Sequence, residues 1–207
     1  MPEADQLIFP GPWNKGRLVG QRRPLKSRDV WTIRTRLGLD GNARDLALFN
    51  LAIDSKLRAC DLVCIRISDI QSADKVRERA SVVQRKTRRP VQFELTDATR
   101  QSLSDWLHAK CRQPSHYVFP SRLNSSNHLS IRQYARLVHK WIEPAGLNST
   151  SYGTHSMRRT KVSQIYRKTG NLRAVQLLLG HTKLETTVRY LGIDVEDALT
   201  LSEQLEL

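Results

Sequence analysis

Apolar residues recur at helical spacing along most of the chain. Val30, Ile33 and Leu37 share one face of a helix that Ser27 can cap. The same spacing predicts further helices over 46–53, over 57–67, from a Thr96 cap to Lys110, and from a Ser130 cap towards Ile142. The first two thirds of the chain are therefore predicted to be mostly helical.

The pattern changes between residues 79 and 95. Val82 and Val83 precede a strongly basic run at 85–89, and Val91 and Phe93 follow it. β-Branched and aromatic residues on both sides of a polar turn are typical of two paired strands. We expect this hairpin to form the main sheet.

The last third predicts short helices with short connections. These helices cover about 156–168, 172–179 and 184–191, and Gly170 and Gly180 end the first two. A further helix is predicted over 195–205. The predicted fold class is therefore mainly α with a small antiparallel β-sheet (α+β).

The chain is strongly basic. Lys and Arg number 34 against 20 Asp and Glu, which gives a formal net charge of +14 over 207 residues. Such an excess favours polyanions, and nucleic acid is the leading partner, although charges scattered for solubility are the alternative. Nine basic residues against two acidic ones lie between Lys15 and Arg44. This clustering fits either phosphate contact or a solvated flexible tail.

Three regions follow from this composition. Residues 1–26 are basic and rich in Pro and Gly, which predicts an arm rather than a folded unit. Residues 27–193 are expected to form the main domain. Residues 194–207 hold five acidic residues and no Lys or Arg, so the last helix is acidic and can dock on a basic protein surface.

Several classes of protein and site are not indicated. No apolar run approaches the ~18 residues of a membrane span, and residues 1–5 lack the features of a signal peptide, so we expect a cytoplasmic protein with no membrane contact. Cys60, Cys64 and Cys111 lack the spacing of a disulfide framework or a zinc site, and they are expected to pack as small apolar side chains. No glycine-rich nucleotide loop is present. We expect neither a cofactor nor a metal.

Candidate chemistry lies in the last third. His155 and Arg158 are three residues apart, so on a helix both can address one phosphate. Taken alone this pair is weak evidence, because surface His and Arg pairs are common. His181 follows directly after Gly180, and Tyr190 lies nine residues beyond it. Tyr190 taken alone is more simply a packed aromatic residue, so the combination carries the argument.

In this combination the chain resembles the tyrosine recombinase (phage integrase) family. That family carries an HxLRH segment followed by an LGH…TT…Y segment at this spacing. Residues 155–159 read His-Ser-Met-Arg-Arg, with Met157 in the usual Leu place and Arg159 where His is often found. Residues 179–190 supply the second segment.

Two upstream segments extend the resemblance. Residues 56–62 read Lys-Leu-Arg-Ala-Cys-Asp-Leu, which is similar to the family's GLRxxEL box, with Lys56 for Gly and Asp61 for Glu. The basic turn after Val83 resembles the hairpin that delivers the family's catalytic lysine, which makes Lys86 the candidate. A solvated basic turn is the alternative there. The resemblance covers roughly residues 28–192 and implies the tyrosine recombinase catalytic-domain fold.

The resemblance implies a set of site residues with defined roles. Two arginines can present paired donors to the non-bridging oxygens of a phosphodiester, and fixed cations can take the part of a metal ion. Lys86 can protonate the leaving 5′ oxygen, and His155 can assist deprotonation of Tyr190 or orient the phosphate. Asp61 is expected to orient an arginine. The catalytic set is Tyr190, Arg58, Lys86, His155, Arg158 and His181, and the candidate DNA contacts are Arg22, Arg23, Arg85, Arg88, Arg89 and Arg159.

The implied function is cleavage and rejoining of double-stranded DNA through a 3′-phosphotyrosyl intermediate, for integration, excision or inversion. A tetramer on paired sites is implied, with the acidic last helix packing on a neighbouring protomer. Most family members also carry a separate core-binding domain, which about 26 residues cannot form, so the basic arm or an accessory protein is expected to supply that grip. Two alternatives stay open, namely type IB topoisomerase-like relaxation of DNA and a non-catalytic DNA-binding regulator.

Overall fold

The computed structural model describes residues 22–108, 115–123, 127–192 and Glu203. The helices in chain order are α1 (Ser27–Leu39), α2 (Ala43–Ser55), α3 (Ala59–Leu62), α4 (Ile67–Ile70), α5 (Asp97–His108), α6 (Ile131–Ile142), α7 (Thr154–Thr169), α8 (Leu172–Leu179) and α9 (Leu184–Leu191). The strands are β1 (Gln71–Ser72), β2 (Lys75–Val76), β3 (Arg79–Val83) and β4 (Pro90–Glu94). The predicted class, mainly α with a small antiparallel sheet, is confirmed.

Helix α2 lies at the centre of the main core. It packs against α1, α5, α7 and β4, and ten of its 13 residues are buried. Burial on several sides explains why apolar residues surround this helix instead of forming one stripe. Phe49 of α2 meets Trp141 of α6 edge to face, with ring centroids 5.7 Å apart.

The last three helices share a smaller apolar cluster. Val162 of α7 packs with Val175 and Leu179 of α8, and Tyr190 of α9 contacts the edge of this cluster. Helix α9 itself buries only Thr187 among its eight residues. The helix that carries the candidate nucleophile is therefore held by few apolar contacts.

The predicted hairpin is formed by β3 and β4. The strands are antiparallel, and Val82 is paired with Val91. Strand β4 packs on α2 and α8, so the hairpin joins the main core to the last third of the chain. A second, unpredicted hairpin pairs β1 with β2 around Ala73 and Asp74, both at positive φ.

The prediction of one helix over 57–67 is wrong. The segment holds α3 and the first residue of α4, separated by residues 63–66. The amide of Ile67 donates to the His116 carbonyl, and the amide of Val118 donates to the Ile65 carbonyl. This extended pairing takes the backbone groups that a continuous helix needs for itself.

A partly buried ionic cluster joins α2, β4 and α7. Lys56 follows α2 at φ +55° and is 1% exposed. Its Nζ bonds to the Asp54 carbonyl at 2.6 Å and to both carboxylate oxygens of Glu94 at 3.0 Å. Lys161 Nζ lies 2.7 Å from carboxylate oxygens of Asp54 and Glu94. The cluster closes the αL turn that ends α2 and so fixes the start of the segment bearing Arg58.

This cluster makes the fold sensitive to acid. Burial raises the pKa of Asp54 and of Glu94, but the hydrogen bonds and charges of the neighbouring lysines outweigh it and hold each pKa below its ordinary value of 3.8 or 4.5. A carboxyl group whose pKa is lowered on folding stabilises the fold above its unfolded pKa and loses that contribution as the pH falls.

We therefore expect Lys161→Met to lower the urea midpoint of unfolding at pH 7. This gap between the midpoints of wild type and variant should narrow as the pH falls from 5 to 3. The control is Lys168→Met, an exposed lysine on the same helix. Urea unfolding at several pH values measures both. A gap that stays constant with pH would contradict the argument.

Some predictions fall outside the described residues. They include most of the basic arm, Cys111, and the acidic helix over 195–205 apart from Glu203. Within the described part of the chain, no helix is both long and apolar enough to span a membrane. Cys60 and Cys64 carry free, half-buried thiols.

Candidate active site

Arg58 lies between α2 and α3, where the ionic cluster fixes the preceding turn. Its Nη1 donates to Gln84 Oε1 at 2.7 Å. Gln84 directly follows β3, and its Nε2 donates to the main-chain carbonyl of Leu179 at 3.1 Å. One side-chain amide thus connects Arg58 to the end of α8.

Arg158 reaches the same carbonyl from α7. Its Nη2 donates to the Leu179 oxygen at 2.8 Å, and its side chain is buried. The carbon at the centre of its guanidinium lies 5.6 Å from the centroid of the Tyr190 ring. Arg58 and Arg158 therefore converge on one point of the fold, and Tyr190 lies beside the second of them.

Tyr190 is the seventh residue of α9, and its ring is held by three cationic or aromatic neighbours. His181 meets the ring edge to face with centroids 5.4 Å apart, and Arg159 lies 5.4 Å from the ring centroid. His181 Nδ1 is 3.1 Å from the hydroxyl of Thr187, the buried residue of α9. The Tyr190 hydroxyl is buried, with no hydrogen-bond partner among the described residues.

The charges of the site shift its titratable groups. Burial raises the pKa of Tyr190 to about 12, although Arg158, Arg159 and Arg58 oppose the shift. Burial, together with Arg158 and Arg58, lowers the pKa of His181 to about 4. Partial loss of hydration and the same arginine charges lower the pKa of His155. Both imidazoles are therefore neutral near pH 7, while the phenol is protonated and needs a base.

Burial lowers the pKa of Arg158 to about 10, and this group stays a cation at neutral pH. A buried cation without a carboxylate partner is costly unless an anion compensates it. Its Nε, like the Tyr190 hydroxyl, is buried with no hydrogen-bond partner in the described chain. The site therefore favours an anion, and a phosphodiester matches its paired guanidinium donors.

Lys86 lies in the exposed turn between β3 and β4, and its neighbours on both sides are tethered to the site. The amide of Arg85 donates to Asp61 Oδ1 at 2.9 Å. The hydroxyl of Thr87 donates to Gln84 Oε1 at 2.9 Å. Asp61 thus bonds to the main chain of this turn, and its negative charge opposes the lowering of the Arg158 pKa. That Asp61 orients an arginine stays a prediction.

The predicted DNA contacts fall into two groups. The side chains of Arg85, Arg88 and Arg89 are exposed on the basic turn, and those of Arg22 and Arg23 are exposed before α1. Arg159 is buried, and its guanidinium donates to the carbonyls of Arg22 at 2.9 Å and Leu191 at 3.3 Å. A DNA contact by Arg159 stays a prediction, and its described contacts tie α7 to both flanks of the site.

His155 is the second residue of α7 and is exposed. Its neutral ring lies within the field of Arg58, Arg158 and Arg159, the charges that depress its pKa. The neutral imidazole keeps an unprotonated nitrogen that can take a proton, although the same arginine charges make it a weaker base. Within the described ranges, no group of three or more His, Cys, Asp or Glu side chains could hold a metal ion.

Three contributors were missed by sequence reasoning: Gln84, the Leu179 carbonyl and Thr187. A main-chain carbonyl has no signature in a sequence. Gln84 is a neutral residue next to four basic ones at 85, 86, 88 and 89, and the sequence points to those basic residues as the functional part of the turn. Thr187 had a usable signal, because it precedes Tyr190 by three residues and so shares its helix face.

Gly180 follows the last residue of α8 and packs against Val91 and Gln84. It has φ +65°, and a Cβ added there would lie 2.6 Å from Val91 Cγ2 and 3.2 Å from both amide atoms of Gln84. Glycine is required by the backbone conformation and by this close approach.

We expect Gly180→Ala to lower the free energy of unfolding by more than the ~1–2 kcal/mol of a left-handed alanine. Gly170→Ala is the matched control, because Gly170 also has a positive φ but no atom within 4 Å of its added Cβ. Urea unfolding of both variants isolates the cost of the overlap. Equal losses in the two variants would contradict the claim of close approach.

Comparison with known proteins gives one matching family. Residues 32–196 match the phage integrase family, which is most of the chain. A probable integrase/recombinase YoeC from Bacillus subtilis is 28% identical over 156 residues, covering 75% of this chain and 81% of that protein. A tyrosine recombinase XerD from Bradyrhizobium diazoefficiens is 31% identical over 180 residues, covering 76% of this chain but 56% of its own length.

Solved structures support the same fold. The crystal structure of XerA recombinase superposes with a TM-score of 0.71 at 18% identity, covering 89% of this chain and 65% of that one. XerH recombinase bound to palindromic difH substrate, in a post-cleavage complex, gives 0.67 at 19% identity, covering 89% and 54%. The chain thus spans little more than half the length of two of these four proteins.

Proposed function

The chain belongs to the phage integrase family, and from that premise we propose that it is a site-specific DNA recombinase that cleaves and rejoins strands through a 3′-phosphotyrosyl intermediate. The observation that carries the proposal is that Arg158 bonds to the Leu179 carbonyl directly and Arg58 is linked to the same carbonyl through Gln84, with the buried Tyr190 hydroxyl nearby. A fixed pair of cations next to a protected nucleophile fits attack on a phosphodiester.

The proposed cleavage step forms one bond and breaks one. The Tyr190 oxygen attacks the scissile phosphorus, and the bond from phosphorus to the 5′ oxygen breaks. The phenol proton passes to a base, for which neutral His155 is the candidate, and Lys86 supplies a proton to the leaving oxygen. The phosphotyrosyl ester keeps the energy of the broken linkage, so a 5′ hydroxyl from another strand can reverse the step without ATP.

Two arginines and one neutral histidine address the phosphate in the proposal. Arg58 and Arg158 bind the non-bridging oxygens, on which negative charge accumulates in the transition state. His181 is oriented through Thr187, so its opposite nitrogen, Nε2, is the one that can address the phosphate. Because fixed cations neutralise the phosphate, we propose that strand cleavage proceeds without a metal ion.

A nicked suicide substrate tests the proposal. DNA from the flanks of the gene is incubated with the protein in EDTA, and denaturing gels detect a covalent protein–DNA adduct. We expect an adduct whose modified peptide, identified by mass spectrometry, contains Tyr190. DNA binding without any adduct would favour a non-catalytic regulatory role, and adduct formation only with added Mg²⁺ would contradict the metal-independent mechanism.

The wider activity is also a proposal. The related proteins carry the names integrase and recombinase, which favours strand transfer between sites over topoisomerase-like relaxation. Exchange between two duplexes breaks four strands, so we propose a tetramer on paired sites, with the acidic residues 194–207 packing on a neighbouring protomer. An accessory protein is compatible with this assembly. We also propose that the protein acts in the cytoplasm.

A further inference from the structure

Gln84 occupies the centre of the arginine network. Its side chain is 0% exposed, although the turn that follows it is open to solvent. Its amide oxygen accepts from both Arg58 and Thr87, and its amide nitrogen donates to the Leu179 carbonyl that also accepts from Arg158. Both polar atoms of the amide are therefore used, and each bond leads to a different part of the site.

The chemistry of an amide suits this place. Arg58 needs a hydrogen-bond acceptor, and the Leu179 carbonyl needs a hydrogen-bond donor. A carboxylate at this position would offer no donor, and its charge would neutralise Arg58, which must remain available to the phosphate. A buried neutral amide holds the guanidinium without competing with the substrate.

The same amide also supports the turns that carry the other groups. Gly180 lies directly against it, with a hypothetical Cβ only 3.2 Å from both amide atoms, and His181 follows Gly180. Thr87, bonded to the amide oxygen, is the neighbour of Lys86. A displacement of Gln84 would therefore disturb Arg58, Arg158 and the turn that carries Lys86.

We propose that Gln84 is a positioning residue, which fixes Arg58 relative to Arg158 so that both guanidinium groups address one phosphate. This inference rests on the proposed recombinase function. Gln84 does not touch the reacting atoms and acts through Arg58 and through the Leu179 carbonyl. Its loss should therefore slow strand cleavage more than it weakens DNA binding, since binding draws on many phosphate contacts.

The test uses Gln84→Met, which keeps the length of the side chain and removes all three hydrogen bonds of the amide. The control is Gln92→Met, a glutamine exposed on β4 of the same hairpin. We expect the rate of adduct formation at saturating DNA to fall about 10- to 100-fold for Gln84→Met, as for other residues that orient a reacting group. DNA affinity is expected to change less than about threefold, because the phosphate contacts of the surface remain. A wild-type cleavage rate in folded Gln84→Met would overturn the proposal.

A double-mutant cycle separates positioning from general damage. If Gln84 acts through Arg58, then Gln84→Met should cause little further loss in the Arg58→Ala background. Full additivity of the two losses would overturn the proposal. Gln84→Glu provides a second variant should the methionine protein fail to fold, and we expect it also to be slow because its carboxylate competes with the phosphate for Arg58. A wild-type rate for Gln84→Glu would contradict the argument for a neutral amide.

A measurement without DNA keeps this inference distinct from the proposed function. Side-chain NMR of arginine reports how freely the Arg58 guanidinium rotates. We expect restricted rotation in the wild type and in Gln92→Met, and faster rotation in Gln84→Met. If the wild type forms no adduct but Arg58 shows this difference, the recombinase proposal fails while the positioning contact stands. Equal rotation in all three proteins would overturn the contact itself.

Discussion

Tyr190→Phe is expected to bind DNA with wild-type affinity and to form no covalent adduct. The substitution removes only the attacking oxygen and keeps the ring that packs against His181, Arg158 and Arg159. The lost hydroxyl is buried without a partner in the described chain, so its removal should leave stability unchanged or raise it slightly. Gel-shift titration, denaturing gels and thermal melting measure the three properties.

Tyr166→Phe is the matched control, because Tyr166 packs against the same apolar cluster from α7. We expect it to cleave DNA at the wild-type rate. Adduct formation by Tyr190→Phe would remove Tyr190 as the nucleophile. Loss of cleavage in both variants would point to damage of the shared cluster instead of loss of the attacking group.

Lys86→Ala is expected to slow cleavage of an ordinary substrate by about 10²- to 10⁴-fold, the usual contribution of a general acid. The side chain is exposed, and its turn is held by bonds from Arg85 to Asp61 and from Thr87 to Gln84. Truncation should therefore leave the fold intact. Quenched single-turnover assays with nicked substrate measure the rate.

A substrate with sulphur in place of the 5′ bridging oxygen isolates the role of the proton. A thiolate leaves without protonation, so Lys86→Ala should cleave this substrate within about tenfold of the wild-type rate. Lys75→Ala, an exposed lysine of the neighbouring β1–β2 hairpin, should behave as wild type on both substrates. An equal defect of Lys86→Ala on oxygen and sulphur substrates would assign the lysine to phosphate binding.

Local pattern was sufficient for the elements that carry most of the candidate site. Helices α8 and α9 begin and end where the apolar spacing and the glycines predict, and the β3–β4 hairpin lies around the basic turn. Periodicity and turn chemistry are properties of neighbouring residues, so a sequence displays them directly. The break between α3 and α4 depends instead on pairing with residues 116–118, which the local pattern does not contain.

Lys56 and Gln84 illustrate the second limit of sequence reasoning. Lys56 occupies a place held by glycine in the resembling motif, and the structure gives it the positive φ that explains the glycine. Its fully buried ammonium depends on Glu94, a partner 38 residues away. Gln84 owes its place to Leu179, which is 95 residues away. The family resemblance indicated which groups to look for at the site, whereas the contacts that orient them are long-range.

The position of helix α9 can affect the cleavage rate independently of how the phosphate is bound. With one buried residue out of eight, few apolar contacts oppose a displacement of this helix from its observed position. The observed rate scales with the fraction of molecules in which Tyr190 is seated, so a seated fraction of one tenth would lower the rate about tenfold with every reacting group intact. Selection can thus tune how often this protein acts through the outer, exposed residues of α9, while the groups that perform the reaction stay unchanged.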